Sequence, residues 1–288
     1  MVKTYSYQDC WNYFSRLLLP PSTNLNEEQT KDLIRLCQIT SAKFWLNFQS
    51  KILSSANYYQ ICRKIQQYQT KKVPVAYLNE ETYFYNLSFK IEKGIFIPQG
   101  DTEILLEKAV ELINQHWKKP KKLKILDIGT GCGNLAVCLA KIFPSSKTTA
   151  TDISQKALQI TKKNAILHHT TNLKIIQSNL FKNLKSKYNI IITNPPYISQ
   201  KEYEKLPFST KQQPKEALIA KNNGYWFYEK IIQQASSYLT KKFLLVMEIG
   251  YRQKAKILKM IIRNFPQAKV EIFSDLANNQ RVIAVYQG

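Results

Sequence analysis

The segment Tyr188-Asn-Ile-Ile-Ile-Thr-Asn-Pro-Pro-Tyr197 joins a short apolar run to two consecutive prolines. The run is rich in β-branched residues, so it predicts a fully buried strand. The two prolines cannot continue a sheet, and the chain must turn after Asn194. An amide side chain and an aromatic ring therefore follow the carboxyl end of a strand, which is where open α/β sheets bind their ligands.

The four residues that end this segment have the chemistry to hold a planar amino group. The side-chain carbonyl of Asn194 and the main-chain carbonyl of Pro195 both accept hydrogen bonds from an NH₂ group. That arrangement leaves the nitrogen lone pair facing an electrophile, and Tyr197 can lie against the flat face of the same group. The segment resembles the Asn-Pro-Pro-Tyr motif of methyltransferases that modify adenine N6, cytosine N4 or a glutamine amide. We expect Asn194, Pro195 and Tyr197 to be catalytic and the whole motif, with Pro196, to bind substrate; a proline-rich turn without function is the alternative.

Alternating apolar runs and helical patterns around this strand predict one doubly wound α/β domain over residues 98–288. Asp101 or Thr102 is expected to cap its first helix, because short polar side chains favour helix N-termini. Seven strands with intervening helices are predicted. They are a strand that ends at Asp152 and those at residues 123–128, 173–176, 189–192, 243–247, 269–273 and 282–286.

The residues before this domain have a different character. Residues 1–72 contain no glycine and repeat apolar side chains at helical spacing, which predicts a small bundle of four helices. The helices are expected around residues 7–18, 33–37, 44–48 and 58–68. Residues 73–97 are rich in β-branched and aromatic residues and predict a β-hairpin linker. Its strands are expected at residues 73–78 and 83–91, joined by Asn79-Glu80-Glu81.

A glycine-rich segment, Asp127-Ile-Gly-Thr-Gly-Cys-Gly133, lies between a predicted strand and a predicted helix. Glycines permit a tight turn and let a ligand approach the main chain closely. Asp152 ends the next strand, where an acidic side chain can accept hydrogen bonds from both hydroxyls of a ribose. A nicotinamide dinucleotide site needs its third glycine one residue later, at Asn134. The observed spacing resembles the S-adenosylmethionine loop instead, with Asp127 near the amino-acid end of that cofactor.

Asn179 and Leu180 follow the third predicted strand of the domain. In many such enzymes an acidic residue at this place meets the adenine amine; here Asn179 takes that place, and Leu180 can flank the base. An ordinary strand-to-helix loop is the alternative. The expected cofactor-binding residues are thus Asp127, Gly129, Thr130, Gly131, Cys132, Gly133, Asp152, Asn179, Leu180 and Asn194.

The composition narrows the class of protein. The chain of 288 residues has a net charge of +22, from 42 Lys+Arg against 20 Asp+Glu. Such a charge favours nucleic acid or a ribosomal surface, although a lysine-rich composition of solvated side chains explains it equally well. The five scattered cysteines and three histidines form no metal motif, and we expect no metal. No leader and no membrane span are indicated, so we expect a soluble cytoplasmic protein. We also expect it to be a monomer.

Nearly the whole chain resembles one family, the release factor glutamine methyltransferases, which are class I S-adenosylmethionine-dependent enzymes. The matching motifs fall in the family order. They are Pro74 to Leu78, Phe89, Gly94, Ile97-Pro98, Thr102-Glu103, the glycine-rich segment, Asp152 to Ser154, Asn194 to Tyr197, Pro214, Ala217-Leu218, Gly224, Glu248, Gly250, Gln253, Asp275 and Arg281. The resemblance implies a helical bundle that recognises the substrate, a hairpin linker and a Rossmann-like methyltransferase domain. The implied reaction is methylation of the glutamine of the Gly-Gly-Gln motif in peptide chain release factors.

This sequence departs from the family pattern at several positions. Gln99, Gly100 and Asp101 replace the usual Arg, Pro and Glu, and Gln213 stands where Glu is usual. Glutamine cannot replace the bidentate donor of a guanidinium. These differences bear on affinity and substrate choice and leave the reaction type unchanged.

Two other functions stay open. One is an N6-adenine methyltransferase acting on RNA or DNA, which the charge of +22 supports and which would need a region that recognises or flips the base. The other is a non-catalytic binding protein that is built on this fold and drawn to the ribosome by its charge.

Overall fold

The structure is a computed structural model that describes residues 5–18, 32, 35–37, 52–117 and 122–288. The chain divides into two compact units. The first comprises Met1–Glu81 with Pro207–Gln212, and the second comprises Thr82–Leu206 with Gln213–Gly288.

The first unit is mainly helical in its described part. Two short strands, β1 (Tyr5–Ser6) and β2 (Ile52–Leu53), pair in antiparallel fashion. The helices are α1 (Tyr7–Leu18), α2 (Ser55–Lys71) and α3 (Val75–Asn79). Helices expected around residues 7–18 and 58–68 are thus observed. The helix expected at 44–48 and part of the one at 33–37 lie outside the described residues. The predicted boundaries between the bundle, the linker and the α/β domain, at residues 72 and 97, stay predictions.

The linker differs from the prediction. Residues 75–79 form the single-turn helix α3, so the strand predicted at 73–78 was wrong. Pro74 precedes the helix, a place that suits its fixed φ, and five residues are too few for apolar spacing to separate helix from strand. The two-stranded sheet is instead β3 (Glu81–Phe84) with β4 (Leu87–Lys90). The single strand predicted at 83–91 and the turn predicted at 79–81 were therefore also wrong, because the turn divides the predicted strand. Tyr85 and Asn86 between them have φ values of 49° and 59°, as a type I′ hairpin turn requires.

The second unit contains a seven-stranded sheet, which confirms the predicted α/β fold. Its order is β10-β11-β9-β8-β5-β6-β7, with β5 to β9 parallel and β11 antiparallel to both neighbours. The strands are β5 (Lys124–Ile128), β6 (Lys147–Asp152), β7 (Leu173–Gln177), β8 (Tyr188–Thr193), β9 (Leu239–Glu248), β10 (Lys269–Ser274) and β11 (Gln280–Gln287).

Helices connect these strands. They are α4 (Gly100–His116), α5 (Asn134–Ile142), α6 (Gln155–Leu167), α7 (Gln200–Glu204), α8 (Phe208–Lys211, which groups with the first unit), α9 (Lys221–Gly224), α10 (Trp226–Tyr238) and α11 (Lys254–Asn264). Gln99 is the N-cap residue of α4, and no side chain caps this end. Asp101 and Thr102, expected as N-caps, lie within the first turn instead.

Both faces of the sheet are buried at its central strands, which explains why β8, β9 and β11 contain continuous apolar runs. Residues alternate between two cores along each strand. In β8, for example, Ile190 and Ile192 pack in the core that includes α4 and α5, while Ile191 packs in the core that includes α10 and α11. None of the helices that the structure describes combines the length and apolar character needed to cross a bilayer.

Candidate active site

A pocket of about 570 Å³ lies at the carboxyl ends of the parallel strands of the second unit. Its volume is within the range of small-molecule sites. Most of the residues expected from the sequence line it together. These are Gly129, Thr130, Gly131, Cys132, Asp152, Asn179, Leu180, Asn194, Pro195, Pro196 and Tyr197. Asp127 and Gly133 do not line the pocket.

The three glycines of the loop after β5 serve two purposes. All three have left-handed φ values, of 72° at Gly129, 58° at Gly131 and 87° at Gly133. A Cβ added at Gly129 or Gly131 meets nothing within 4 Å, so these residues leave room beside the main chain. A Cβ at Gly133 would lie 2.8 Å from Cγ2 of Thr161 in α6. Gly133 is therefore needed for packing, which explains its absence from the pocket wall.

Asp127 is fully buried behind this loop. Its Oδ2 accepts a hydrogen bond from the Thr130 hydroxyl at 2.6 Å, while its Oδ1 has no hydrogen-bond partner among the described residues. Burial raises the pKa of Asp127 to about 7, although the Thr130 hydroxyl and the main-chain amide of Ala136 favour the ionised form. A buried acceptor of this kind calls for a further donor. The ammonium group of an amino-acid ligand would supply both the donor and the compensating charge.

Asp152 ends β6 and is half-buried at the pocket wall. Its Oδ2 accepts from the amide of Gly131 at 3.0 Å and its Oδ1 from the amide of Ser154 at 2.9 Å. The carboxylate is thus tied to the glycine-rich loop by main-chain donors, while burial raises its pKa. Each oxygen keeps a second lone pair, so the group can still accept from two ligand hydroxyls.

The turn after β7 holds a residue in an unusual conformation. Leu180 has a φ of 51°, in the left-handed region that a residue with a Cβ rarely adopts. The hydroxyl of Ser178 donates to the Leu180 carbonyl at 2.7 Å and accepts from the amide of Asn183 at 3.1 Å, which holds the turn in place. Asn179 is left exposed beside the pocket, where its side chain is available to a ligand.

On the other side of the loop, Asn194 belongs to a chain of hydrogen bonds that leads to a buried carboxylate. Its Nδ2 donates to the Thr102 hydroxyl at 2.9 Å, and that hydroxyl donates to Glu248 Oε2 at 2.7 Å. The Tyr197 hydroxyl donates to Glu248 Oε1 at 3.3 Å. Glu248 is only 2 % exposed. Residues from α4, from the motif after β8 and from the end of β9 therefore meet at one carboxylate.

Sequence reasoning did not name Thr102 or Glu248 as site residues. It considered Thr102 as a helix cap, and Glu248 entered only among the family motifs. One signal was available, because Glu248 is a lone acid that follows the apolar run Phe-Leu-Leu-Val-Met247. Acidic residues are rarely buried without a partner, so an acid at the end of a central strand indicates a polar site.

The main chain of the Asn-Pro-Pro-Tyr motif is also fixed. Gln253 Nε2 donates to the Tyr197 carbonyl at 3.0 Å, and Gln253 Oε1 accepts from the amide of Gly250 at 3.1 Å. Gly224 has a φ of 89°, and a Cβ added there would lie 2.2 Å from the Tyr197 carbonyl oxygen. The motif is thus held against α9 by a close approach that only glycine permits.

Three of the positions that depart from the family pattern, Gln99, Asp101 and Gln213, have side-chain partners in this chain. Gln213 Oε1 accepts from the amide of Ile97 at 3.0 Å, and Gln99 Nε2 donates to the Ile97 carbonyl at 2.7 Å. The carboxylate of Asp101 pairs with Arg281 at 3.1 Å. The segment before α4 is therefore held by the neutral side-chain amides of Gln99 and Gln213.

Comparison with known proteins gives a consistent result. The Methyltransferase small domain family matches residues 86–259. The chain is 39% identical over 216 residues to the release factor glutamine methyltransferase of Fusobacterium nucleatum subsp. nucleatum, across 74% of this chain and 60% of that protein. It is 37% identical over 209 residues to the release factor glutamine methyltransferase of Buchnera aphidicola subsp. Acyrthosiphon pisum, across 73% of each. The solved structure of a methyltransferase from Pyrococcus furiosus has the same fold, with a TM-score of 0.52 at 14% identity over 82% of this chain and 100% of that one.

Proposed function

The chain belongs to the release factor glutamine methyltransferase family, and on this premise we propose that it methylates a glutamine side chain in a peptide chain release factor. The acceptor is the glutamine of the Gly-Gly-Gln motif, and the methyl donor is S-adenosylmethionine. The observation that carries this function is the orientation of Asn194, whose NH₂ is engaged by Thr102 so that its carbonyl oxygen remains for the pocket.

The residues present fit the cofactor. Asp152 has lone pairs for a ribose, and Asn179 is available to the adenine amine. Asp127 lies behind the pocket wall, where its unpartnered Oδ1 would attract an ammonium group bound at the glycine-rich loop. The open space beside Gly129 and Gly131 permits the close approach of a ligand. When bound, S-adenosylmethionine supplies an already activated methyl group on its sulfonium.

The residues of the motif position and polarise the acceptor amide. An amide nitrogen is a poor nucleophile because its lone pair is delocalised, so catalysis depends on alignment and on stabilising the positive charge that develops on nitrogen. The carbonyl oxygens of Asn194 and Pro195 would accept the two N–H groups, and the Tyr197 ring would fix the amide plane. Burial raises the pKa of Tyr197, so its hydroxyl stays protonated and donates to Glu248. The methylated nitrogen is strongly acidic, and its proton leaves to water or to a carbonyl without a tuned base.

The wider setting is part of the same proposal. We infer that residues 1–72 recognise the release factor and that the enzyme acts as a monomer in the cytoplasm. The charge of +22 supports a weak affinity for nucleic acid or the ribosome, on which release factors act.

Methyl transfer from labelled S-adenosylmethionine tests the function. The acceptors are a peptide chain release factor, the same factor with its motif glutamine changed to alanine, plain DNA and tRNA, each with wild-type enzyme and with Asn194→Ala. We expect label only on the intact factor and only with the wild-type enzyme. Label on nucleic acid would replace this function by adenine methylation. Bound cofactor with no label on any acceptor would indicate a binding protein.

A further inference from the structure

We propose that Glu248 is a positioning residue, which fixes through the Thr102 hydroxyl the direction in which the Asn194 amide faces the acceptor. The inference deepens the proposed function and rests on it. It starts from a feature that methyl transfer does not itself require, a buried carboxylate whose two oxygens each receive a hydrogen bond from a side chain.

The number of protons in this chain of hydrogen bonds determines its direction. An ionised carboxylate only accepts, and a threonine hydroxyl has one proton to donate. The Thr102 proton is used on Glu248 Oε2, at 2.7 Å, so Thr102 can only accept from its other neighbour. That neighbour is Asn194, at 2.9 Å, and the only donor on an amide side chain is its NH₂. Asn194 Oδ1 is thereby directed away from Thr102, and it receives no hydrogen bond from any part of the chain that the structure describes.

The orientation decides whether the site can hold an amino group. An Asn194 side chain turned by half a rotation would present its own NH₂ to the NH₂ of the acceptor, and two donors cannot pair. An orphaned donor in a partly buried site costs free energy comparable to a lost hydrogen bond. Glu248 also accepts from the Tyr197 hydroxyl, so one carboxylate positions two of the side chains that face the acceptor.

The surroundings of Glu248 make this device sensitive to pH. Burial and the nearby carboxylate of Asp101 raise the pKa of Glu248 to about 7, while Thr102, Tyr197 and Arg281 lower it in part. The Tyr228 hydroxyl donates to the main-chain carbonyl of Glu248 and not to its carboxylate. A protonated Glu248 can donate to Thr102, whose own proton is then free for Asn194 Oδ1. The rate of methyl transfer at saturating cofactor should therefore fall as the pH falls through about 7.

Three variants separate positioning from folding. Glu248→Met removes both acceptors at similar volume, so the Thr102 proton turns to Asn194 Oδ1. Single-turnover methyl transfer should fall about 100-fold, as for loss of one oriented polar group in an active site, while the cofactor Kd changes by less than about threefold. Glu248→Gln keeps one acceptor oxygen and cannot ionise, so it should lose less rate and lose the acid limb of the pH profile. Thr102→Ser keeps the hydroxyl that links Glu248 to Asn194, so it should lose less rate than Glu248→Met.

A measurement on the free enzyme is independent of the acceptor. In wild type, the side-chain amide protons of Asn194, assigned with Asn194→Ala, should show a nuclear Overhauser effect to the Thr102 methyl group, and Glu248→Met should lose it. A wild-type rate in Glu248→Met, an unchanged Overhauser effect, or an acid limb that persists in Glu248→Gln would each overturn the proposal. Inactivity of the wild-type enzyme on every release factor would instead overturn the proposed function. The ratio of the methyl-transfer rates of Glu248→Met and wild type could then be measured with nucleic acid as the acceptor, because an adenine amine needs the same acceptor oxygen of Asn194.

Discussion

Two buried carboxylates, Asp127 in β5 and Glu248 at the end of β9, look alike by most measures. Both are almost completely inaccessible to solvent, and burial raises the pKa of each to about 7. They differ in their hydrogen bonds. Asp127 keeps one oxygen without a partner, whereas both oxygens of Glu248 accept from neighbouring hydroxyls. The pKa shift therefore does not distinguish the role we propose for Asp127, which is to bind a ligand, from the role we propose for Glu248, which is to orient its neighbours. Their hydrogen-bond partners do distinguish them.

The same contrast extends to the two halves of the pocket, the one that we propose for the cofactor and the one that we propose for the acceptor. In the cofactor half, the amides of Gly131 and Ser154 hold Asp152, and these residues are close in sequence to the strands they follow. In the acceptor half, side chains hold side chains across long stretches of sequence, as in the bond between Thr102 and Glu248. Loss of an acceptor residue should therefore reduce turnover, and loss of a cofactor residue should reduce affinity.

The largest effect is expected for Asn194→Ala. The change removes the oxygen that we propose holds the substrate NH₂, so turnover should fall by about 10²- to 10³-fold, which is typical for loss of one preorganised polar group. The cofactor Kd should stay within about threefold of the wild-type value, because the glycine-rich loop is untouched. Single-turnover kinetics and calorimetric titration with cofactor measure the two quantities. Wild-type turnover in this variant would remove Asn194 from the chemistry.

Asp127→Asn tests the other half of the pocket with a change of nearly equal shape. Loss of the charge-assisted hydrogen bond to the cofactor ammonium should raise the cofactor Kd by about 10- to 100-fold. Because burial raises the pKa of Asp127, its ionisation at neutral pH disfavours folding, and the neutral amide should leave Tm unchanged or higher. Thermal unfolding without cofactor checks the second expectation. A large fall in Tm with unchanged Kd would assign Asp127 a structural role.

The pH dependence of the same variant sharpens the contrast. Wild-type cofactor affinity should weaken as the pH falls through about 7, because protonation removes the charge that attracts the ammonium. This dependence should be absent in Asp127→Asn. It concerns the Kd of the cofactor, whereas the pH dependence assigned to Glu248 concerns the rate at saturating cofactor. If Asp127→Asn and Glu248→Gln changed the same pH profile, the cofactor half and the acceptor half of the pocket would not be separable.

Two glycines with similar φ values allow a matched substitution. In Gly224→Ala the added Cβ meets the Tyr197 carbonyl at 2.2 Å, so the acceptor motif must move, and turnover should fall about tenfold. In Gly133→Ala the added Cβ meets the Thr161 methyl group at 2.8 Å, so α6 must move. Tm should then fall by several degrees, and the cofactor Kd should rise. Thr161→Ser removes the clashing methyl group and should recover part of the loss at Gly133. Equal effects of the two alanines on turnover and Kd would contradict the division of the pocket.

The contrast also explains what the sequence could predict. The glycine-rich loop, Asp152 and the Asn-Pro-Pro-Tyr motif each lie at the end of a strand, and strand ends are visible as apolar runs that stop at punctuating residues. Because parallel strands end at the same edge of a sheet, these short motifs had to meet. The seven strands followed from the same runs, but their order in the sheet and the antiparallel direction of β11 were not predicted.

The remaining features depend on contacts between distant residues. Nothing near Thr102 shows that its hydroxyl will meet Glu248, 146 residues away, or Asn194, 92 residues away. The left-handed conformation of Leu180 depends on the Ser178 hydroxyl and is invisible to propensity. The helix at residues 75–79 is a single turn, which is too short for apolar spacing to identify.

The smallest effect is expected at Asn179, which is exposed beside the cofactor half. If its side-chain oxygen accepts from the adenine amine, Asn179→Asp strengthens an existing hydrogen bond by adding charge, and solvent screens much of the gain. The cofactor Kd should fall about three- to tenfold. A cofactor analogue that keeps the sulfonium and lacks the exocyclic amine is the control, and it should bind both proteins equally. If Asn179→Asp bound both the cofactor and the analogue more tightly, the cause would be long-range attraction between the new charge and the positive sulfonium. If the variant changed the Kd of neither ligand, the adenine would lie away from Asn179.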